Sequence, residues 1–145
     1  ILPEQHNRAD RVRHLLTTLH GAFPVATVIE DEAVIALLTN DPKDRHVLAA
    51  AVQSRARLIV TNNLRDFPIS ALQPHRIAAH TPDRFLQRLF RQHPTRLLGL
   101  LTRQGADLRQ PRTLDAILDT LAQHVPTFVS AIRATAANLE ESEGP

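Results

Sequence analysis

The 145 residues, 43% of them hydrophobic, suffice for one core and most simply one domain, and no apolar run approaches the length that spans a membrane. The absence of cysteine excludes disulfides and thiolate metal sites and favours a cytoplasmic location. The net charge is only +2, and nearly all positive charge is arginine, which suits bidentate contact with phosphate but also follows from genomic base composition.

The N-terminal part is predicted to be helical. Apolar residues at helical spacing predict an amphipathic helix from Pro3 to His20, and Gly21 lies where a C-cap would stand. The connector from Phe23 to Ile29 has room for a short strand. Glu30, Asp31 and Glu32 then open a short helix, residues 33–38, and such acids more often complement the helix dipole than bind a metal.

Residues 40–68 combine a helix start, an apolar helix, a short strand and a polar strand end. Asn40, Asp41 and Pro42 mark the helix start, and Asp44 falls in its first turn. The β-branched run Leu58–Val60 predicts a buried strand. Ligands of α/β folds lie beyond the carboxyl ends of strands. The polar residues just beyond this strand are Thr61, Asn62, Asn63 and Asp66.

The remainder predicts a second short strand and four helices. The strand is expected at residues 76–79. Thr81 caps a helix to about residue 92, and Thr95 caps another to about residue 110. Thr113 starts the third helix, and Pro126 begins the last, which carries Leu139 inward before a frayed acidic tail at residues 140–145.

Asp44 and Asp66 are the chemically interesting pair. An α/β unit can bring them together, and converging carboxylates at a sheet edge suit a hard cation such as Mg²⁺ or Mn²⁺. Asn63 can add a carbonyl oxygen, and Thr61 can hydrogen-bond a carboxylate or a phosphate. The competing interpretation is structural, with Asp44 complementing a helix dipole and Asp66 capping a one-turn helix. The residues alone favour that structural interpretation.

Two segments, in order and at the expected separation, resemble the PIN domain, the nuclease fold of VapC-type toxins. They are Asp44–Ala51 and Ile59–Pro68, and a weaker likeness extends from about residue 11 to residue 86. The resemblance implies an α/β, PIN-like domain over residues 1–92, with a short central parallel sheet flanked by helices. Residues 93–145 are then expected to form a helical C-terminal extension packed on the same domain.

The resemblance also implies a metal-dependent endoribonuclease that hydrolyses RNA phosphodiesters within a toxin–antitoxin pair. Asp44 matches the acid that opens the motif helix, and Asn63 and Asp66 match polar positions after the motif strand; Asp66 is preferred because it is charged. Asp44 and Asp66 are then the catalytic residues, and the Mg²⁺ or Mn²⁺ ligands together with Asn63. The substrate-binding candidates are Thr61, Lys43, Arg45 and Arg65. The implied partners are RNA, a cognate antitoxin and a second copy in a homodimer.

The chain departs from the family pattern at its beginning. PIN domains open with a strand ending in an Asp, followed by a Glu on a helix, and the resemblance starts after both. The chain as given is therefore expected to hold half of the metal site and to bind metal weakly. This departure motivates an alternative, a catalytically inactive PIN-like interaction or regulatory module. An all-helical nucleic-acid-binding protein is a third hypothesis, against which the strand Leu58–Val60 argues.

Overall fold

The computed structural model describes residues 3–29 and 31–142, and the side chains of residues 9–29 and 31–136. Helices dominate this part of the chain. They are α1 (Pro3–Ala22), α2 (Glu32–Leu37), α3 (Arg45–Gln53), α4 (Ile69–Leu72), α5 (Pro82–Gln92), α6 (Pro94–Ala106), α7 (Leu114–Ala122) and α8 (Pro126–Ser142). The strands are β1 (Leu58–Val60) and β2 (Ala78–His80), and single 3₁₀ turns cover Pro42–Asp44, Leu64–Asp66 and Gln73–His75. The predicted α/β class is confirmed.

The two strands form a parallel sheet. Leu58 lies opposite Ala78, and Val60 lies opposite His80. The pairing continues one residue further, because the Thr61 amide donates to the His80 carbonyl at 2.9 Å. Parallel strands end at the same edge, so the residues that follow β1 and β2 lie side by side.

The second strand begins two residues later than predicted. Arg76 ends the 3₁₀ turn in the left-handed region, with φ of 58°. A residue in that conformation cannot continue a strand, so the extended segment starts only at Ala78.

The first core cluster surrounds β1, α3 and α4. Ile59 is buried, as predicted for the centre of the strand. Leu48 of α3 is fully buried, and alternation in β1 leaves Val60 exposed on the other face of the sheet. The buried members of this cluster are Leu38, Leu48, Ala49, Ala51, Ile59, Phe67, Ala71, Leu72 and Ile77.

The second core cluster lies among α5, α6, α7 and α8, which confirms the helical C-terminal region. The rings of Phe90 and Phe128 pack edge to face, with centroids 6.1 Å apart and planes at 84°. Helix α5 supplies Phe90 to this cluster and also contacts β2, so it joins the helices to the sheet. The buried members are Phe90, Leu97, Leu118, Val125, Phe128, Val129 and Ile132.

Two boundaries in the helical region differ from the prediction. Helix α6 starts at Pro94, a residue that the first helical position tolerates, so Thr95 lies inside the helix and is not its cap. The helix ends at Ala106, where the chain turns back and the Arg112 amide donates to the Gly105 carbonyl at 3.0 Å. The backbone of α8 continues to Ser142, through the first half of the predicted tail, whereas the Leu139 side chain and residues 143–145 lie outside the described part.

The N-terminal helix differs from its prediction in burial and in its end. Helix α1 passes through Gly21 to Ala22, so Gly21 is not a C-cap. Its predicted inward residues are largely exposed, with 56% of Leu15 and 49% of Leu16 accessible. None of the helices described here combines the length and the apolar character needed to cross a bilayer.

The connector and the short helix after α1 follow simple capping chemistry. No strand forms within residues 23–29. The Asp31 carboxylate accepts a hydrogen bond from the Ala33 amide at 2.9 Å and caps α2, and Glu32 lies in its first turn. These two acids therefore stand at the helix start, as the dipole interpretation predicted, whereas Glu30 lies outside the described residues.

Candidate functional site

Asp44 stands at the start of α3 without acting as its cap. The 3₁₀ turn Pro42–Asp44 leads into the helix, and the Asp41 carboxylate caps that turn by accepting from the Lys43 amide at 2.9 Å. Asp44 occupies the N-cap position of α3, but its side chain makes no capping hydrogen bond. The local helix-start role thus falls to Asp41, and the Asp44 carboxylate is available for other contacts.

Asp66 is held by the turn that follows β1. The Thr61 hydroxyl oxygen accepts from the Asn63 amide at 3.0 Å and shapes the start of this turn. The Asn63 side-chain amide donates to Asp66 Oδ2, and Arg65 Nε lies 3.6 Å from Asp66 Oδ1. The Asp66 side chain is only 19% exposed. Its neighbours therefore orient this carboxylate at the carboxyl end of the strand.

The two carboxylates meet at this edge of the sheet. Burial raises the pKa of Asp44, and a hydrogen bond with Asp66 and the negative charges of Asp66 and Asp41 raise it further. The electrostatic interaction with His46 lowers the pKa of Asp44. The pKa of Asp44 rises because a negative charge close by disfavours the charged form of its carboxyl group.

The chemistry of this donor set fits a hard divalent cation. Two carboxylates and the Asn63 amide oxygen are the ligands that Mg²⁺ and Mn²⁺ prefer. Across the described ranges, 3–29 and 31–142, no group of three or more His, Asp or Glu side chains is placed to hold a metal ion. The structure thus brings two carboxylates together in this part of the chain.

The predicted substrate-binding residues are not equally placed. Arg65 is 91% exposed beside Asp66, and Lys43 is exposed on the turn before Asp44. Arg45 is half-buried, and its Nε donates to the Asn40 carbonyl at 3.2 Å. Arg65 and Lys43 thus stay accessible, whereas Arg45 is engaged by the backbone.

Asn40, which the sequence indicated only as part of a helix start, is buried in this region. It is 2% exposed, and neither polar atom of its side-chain amide has a hydrogen-bond partner among the described residues. A buried polar group without a partner is uncommon. The sequence Asn-Asp-Pro also marks ordinary surface turns, so nothing in it signals this burial.

Comparisons with known proteins match both halves of the chain. Residues 2–65 match the PIN domain model, and residues 82–134 match the VapC50 C-terminal domain model. A Mycobacterium tuberculosis (strain ATCC 25618 / H37Rv) protein named "Putative ribonuclease VapC50" is 43% identical over 104 residues. That stretch is 69% of this chain and 60% of the relative, so the chain spans about 60% of the length of the curated relative. No solved structure matches the chain.

Proposed function

Because the chain belongs to the PIN-domain family of the VapC type, we propose that the full-length protein is a metal-dependent endoribonuclease that hydrolyses RNA phosphodiesters. The observation that carries this proposal is the meeting of Asp44 and Asp66 beyond the carboxyl end of β1. We further propose that the protein is the toxin of a toxin–antitoxin pair and acts in the cytoplasm as a homodimer held in check by its antitoxin. Residues 1–92 form the PIN-like domain, and residues 93–145 form its helical extension.

Asp44 and Asp66 are the catalytic and metal-binding residues in this proposal. Their carboxylates would hold Mg²⁺ or Mn²⁺, and Asn63 would orient Asp66 through its amide N–H while offering its own carbonyl oxygen. When bound, such a cation supplies an activated water and stabilises the charge that develops on the phosphate. The two acids come from different elements, so the turn after β1 and the start of α3 must both be in place for activity.

Side chains around the acids would position the RNA. The Thr61 oxygen already accepts a hydrogen bond, which leaves its own proton free for a phosphate oxygen. Arg65 and Lys43 present accessible cations beside the acids. Arg45 contributes a further positive charge near the start of α3, although its Nε is committed to Asn40. Neutralising these cations should weaken RNA binding more at low salt than at high salt.

The proposal is tested by thermal melting of the full-length protein with and without Mn²⁺, together with cleavage of a labelled single-stranded RNA. We expect Asp44→Asn and Asp66→Asn each to lose the Mn²⁺-dependent rise in melting temperature and to abolish cleavage. Without metal, Asp44→Asn should be at least as stable as the wild type, because the substitution removes repulsion between carboxylates.

Asp41→Asn is the matched control. Asp41 lies in the same segment but caps the 3₁₀ turn, a role that asparagine also fills, so Asp41→Asn should change stability little and should keep the Mn²⁺-dependent rise in melting temperature. A Mn²⁺-dependent rise in melting temperature that is unchanged in Asp44→Asn would exclude Asp44 as a ligand.

A full-length protein that neither cleaves RNA with a divalent metal nor harms cells when expressed without antitoxin would instead be an inactive PIN-like interaction or regulatory module.

A further inference from the structure

Three surface clefts of the described chain are joined by shared residues. A cleft of about 350 Å³ is lined by Arg55, Arg57 and Arg76. Arg57 also lines a second cleft of about 280 Å³, between the sheet and α5. His80 and Arg88 line both this cleft and a third of about 410 Å³. We call the surface formed by their arginines the basic track: Arg55, Arg57, Arg76, Arg84, Arg88 and Arg91.

The positive charge of the basic track is not compensated locally. None of the residues lining the three clefts is acidic. Within the described residues, none of the six arginines pairs with a carboxylate, and all six are exposed. The whole chain carries a net charge of only +2, so the acids lie elsewhere and this surface is strongly positive.

The positive charge of the basic track also affects His80, which lines two of the clefts. Burial lowers the pKa of His80, and the positive charges of Arg84 and Arg88 lower it further. At the other end of the track, Arg55 and Arg76 adopt left-handed backbone angles, φ 55° and 58°, that glycine or asparagine adopt more readily. Both residues stand where a helical turn ends, a usual position for a left-handed residue.

The spacing along α5 suits a nucleic-acid strand. Arg84, Arg88 and Arg91 follow each other at four and three residues, so they share one face of the helix over about 10 Å. Each strand of duplex DNA carries one phosphate per roughly 3.4 Å of axis, and a single strand spaces its phosphates more widely, so this face spans at most about three phosphate intervals. The planar guanidinium group binds phosphate oxygens in pairs. Among the described residues that line these clefts, Phe85 is the single Phe, Tyr or Trp. The scarcity of such side chains favours contact with the phosphate backbone over base stacking.

The track reaches the edge of the sheet that carries the candidate acids. His80 is the last residue of β2, and its carbonyl accepts from the Thr61 amide at the start of the turn that holds Asp66. We propose that the basic track binds the phosphate backbone of single-stranded RNA, without base preference, and leads the strand to Asp44 and Asp66. This inference rests on the proposed function for the identity of the polyanion.

The test measures binding and not cleavage. Fluorescence anisotropy of a labelled single-stranded RNA is recorded in EDTA over a range of salt concentrations. We expect Arg84→Gln/Arg88→Gln/Arg91→Gln to make the slope of log affinity against log salt shallower by about 2, at about 0.7 per lost phosphate contact. The same arithmetic predicts an affinity about a hundredfold lower at 0.1 M salt. Arg57→Gln/Arg76→Gln, at the far end, should make the slope shallower by about 1.4 if the track is continuous.

The matched control is Arg96→Gln/Arg103→Gln/Arg109→Gln, which removes the same charge from exposed positions outside the three clefts. Thermal melts verify that each variant is folded. Equal loss of RNA affinity in the control and α5 variants would overturn the proposal, because net charge alone would then explain binding. Tighter binding of a polyglutamate peptide of equal charge would also overturn it and point to an acidic protein partner. RNA bound with the expected slopes by a full-length protein that never cleaves RNA would refute the nuclease function while supporting the track.

Discussion

Asp83 joins two helices that are far apart in sequence. It lies in the first turn of α5, and its carboxylate accepts hydrogen bonds from the amides of Phe128, at 2.7 Å, and Thr127, at 3.2 Å. These amides belong to the first turn of α8, where backbone donors lack partners within their own helix. Asp83 thus caps α8 from outside, and Asp83→Ala should loosen the packing of α5 against α8.

The expected loss follows from these two bonds. Removing a capping acceptor costs about 0.5–2 kcal/mol, and the charge near a helix N-terminus adds about 0.3–1 kcal/mol. The Asp83 side chain is partly exposed, which screens its charge, so we expect a total of about 1–2 kcal/mol for Asp83→Ala. Asp83→Asn keeps one acceptor oxygen and should cost about half as much.

The stability that the Asp83 carboxylate contributes should fall at acidic pH. Burial acts to raise the pKa of Asp83, but the hydrogen bonds from Phe128 and Thr127 outweigh it and hold the pKa below its usual value. A lowered pKa in the folded state means that the carboxylate stabilises the fold fully above its unfolded pKa of about 4. This stabilisation is lost as the pH falls through the folded-state pKa.

The assay is urea unfolding at pH 7 and at acidic pH, with Asp115→Ala as control. Asp115 occupies the same position relative to a threonine cap in α7, but no contact to another helix is found for it among the described residues. It should lose only the dipole contribution to its own helix, about 0.3–1 kcal/mol. Equal losses of unfolding free energy in Asp83→Ala and Asp115→Ala would refute the capping argument. A difference between the two losses that persists far below pH 4 would also refute it.

Two further substitution pairs test packing. A side chain on Gly105 would bring its Cβ to 2.6 Å from the Arg112 carbonyl oxygen, so Gly105→Ala should cost about 1–3 kcal/mol in urea unfolding. Gly99→Ala, in the same helix with nothing within 4 Å, should instead stabilise by about 0.5–1 kcal/mol. Leu48→Ala and Phe128→Ala should cost about 2–5 and 3–5 kcal/mol, one in each core cluster. Both substitutions should lower the temperature of one shared unfolding transition in calorimetry. Separate transitions would contradict the prediction that residues 93–145 pack on the same domain.

Local sequence signals predicted the fold where one strong rule applied. The run Leu58–Val60 became a parallel strand, as its β-branched residues and polar flanks predicted, but only Ile59 is buried, and Val60 is exposed on the other face of the sheet. Thr81 and Thr113 cap α5 and α7 as expected, since a threonine before a helix-forming run has a defined hydrogen-bond partner. These signals act over a few residues, and tertiary contacts seldom override them.

The main error of the sequence prediction was to expect that the apolar face of α1 is buried. Val12, Leu15, Leu16 and Leu19 repeat at helical spacing, which normally indicates a face turned to the core. In the described structure these residues are exposed by 45% or more. Spacing identifies an apolar face but does not identify the surface that covers it, so burial could not follow from the pattern alone.

The candidate site illustrates the same limit with acids. Asp41 and Asp44 both stand at a helix start in sequence, and capping rules apply equally to either. The structure gives the capping bond to Asp41, whereas Asp44 contacts Asp66, which follows a strand. Sequence also left Asn63 and Asp66 as alternatives for one role, but the amide of Asn63 donates to the Asp66 carboxylate. The two residues therefore act as one unit, and we expect Asn63→Ala to weaken metal binding through Asp66 orientation, by less than Asp66→Asn does.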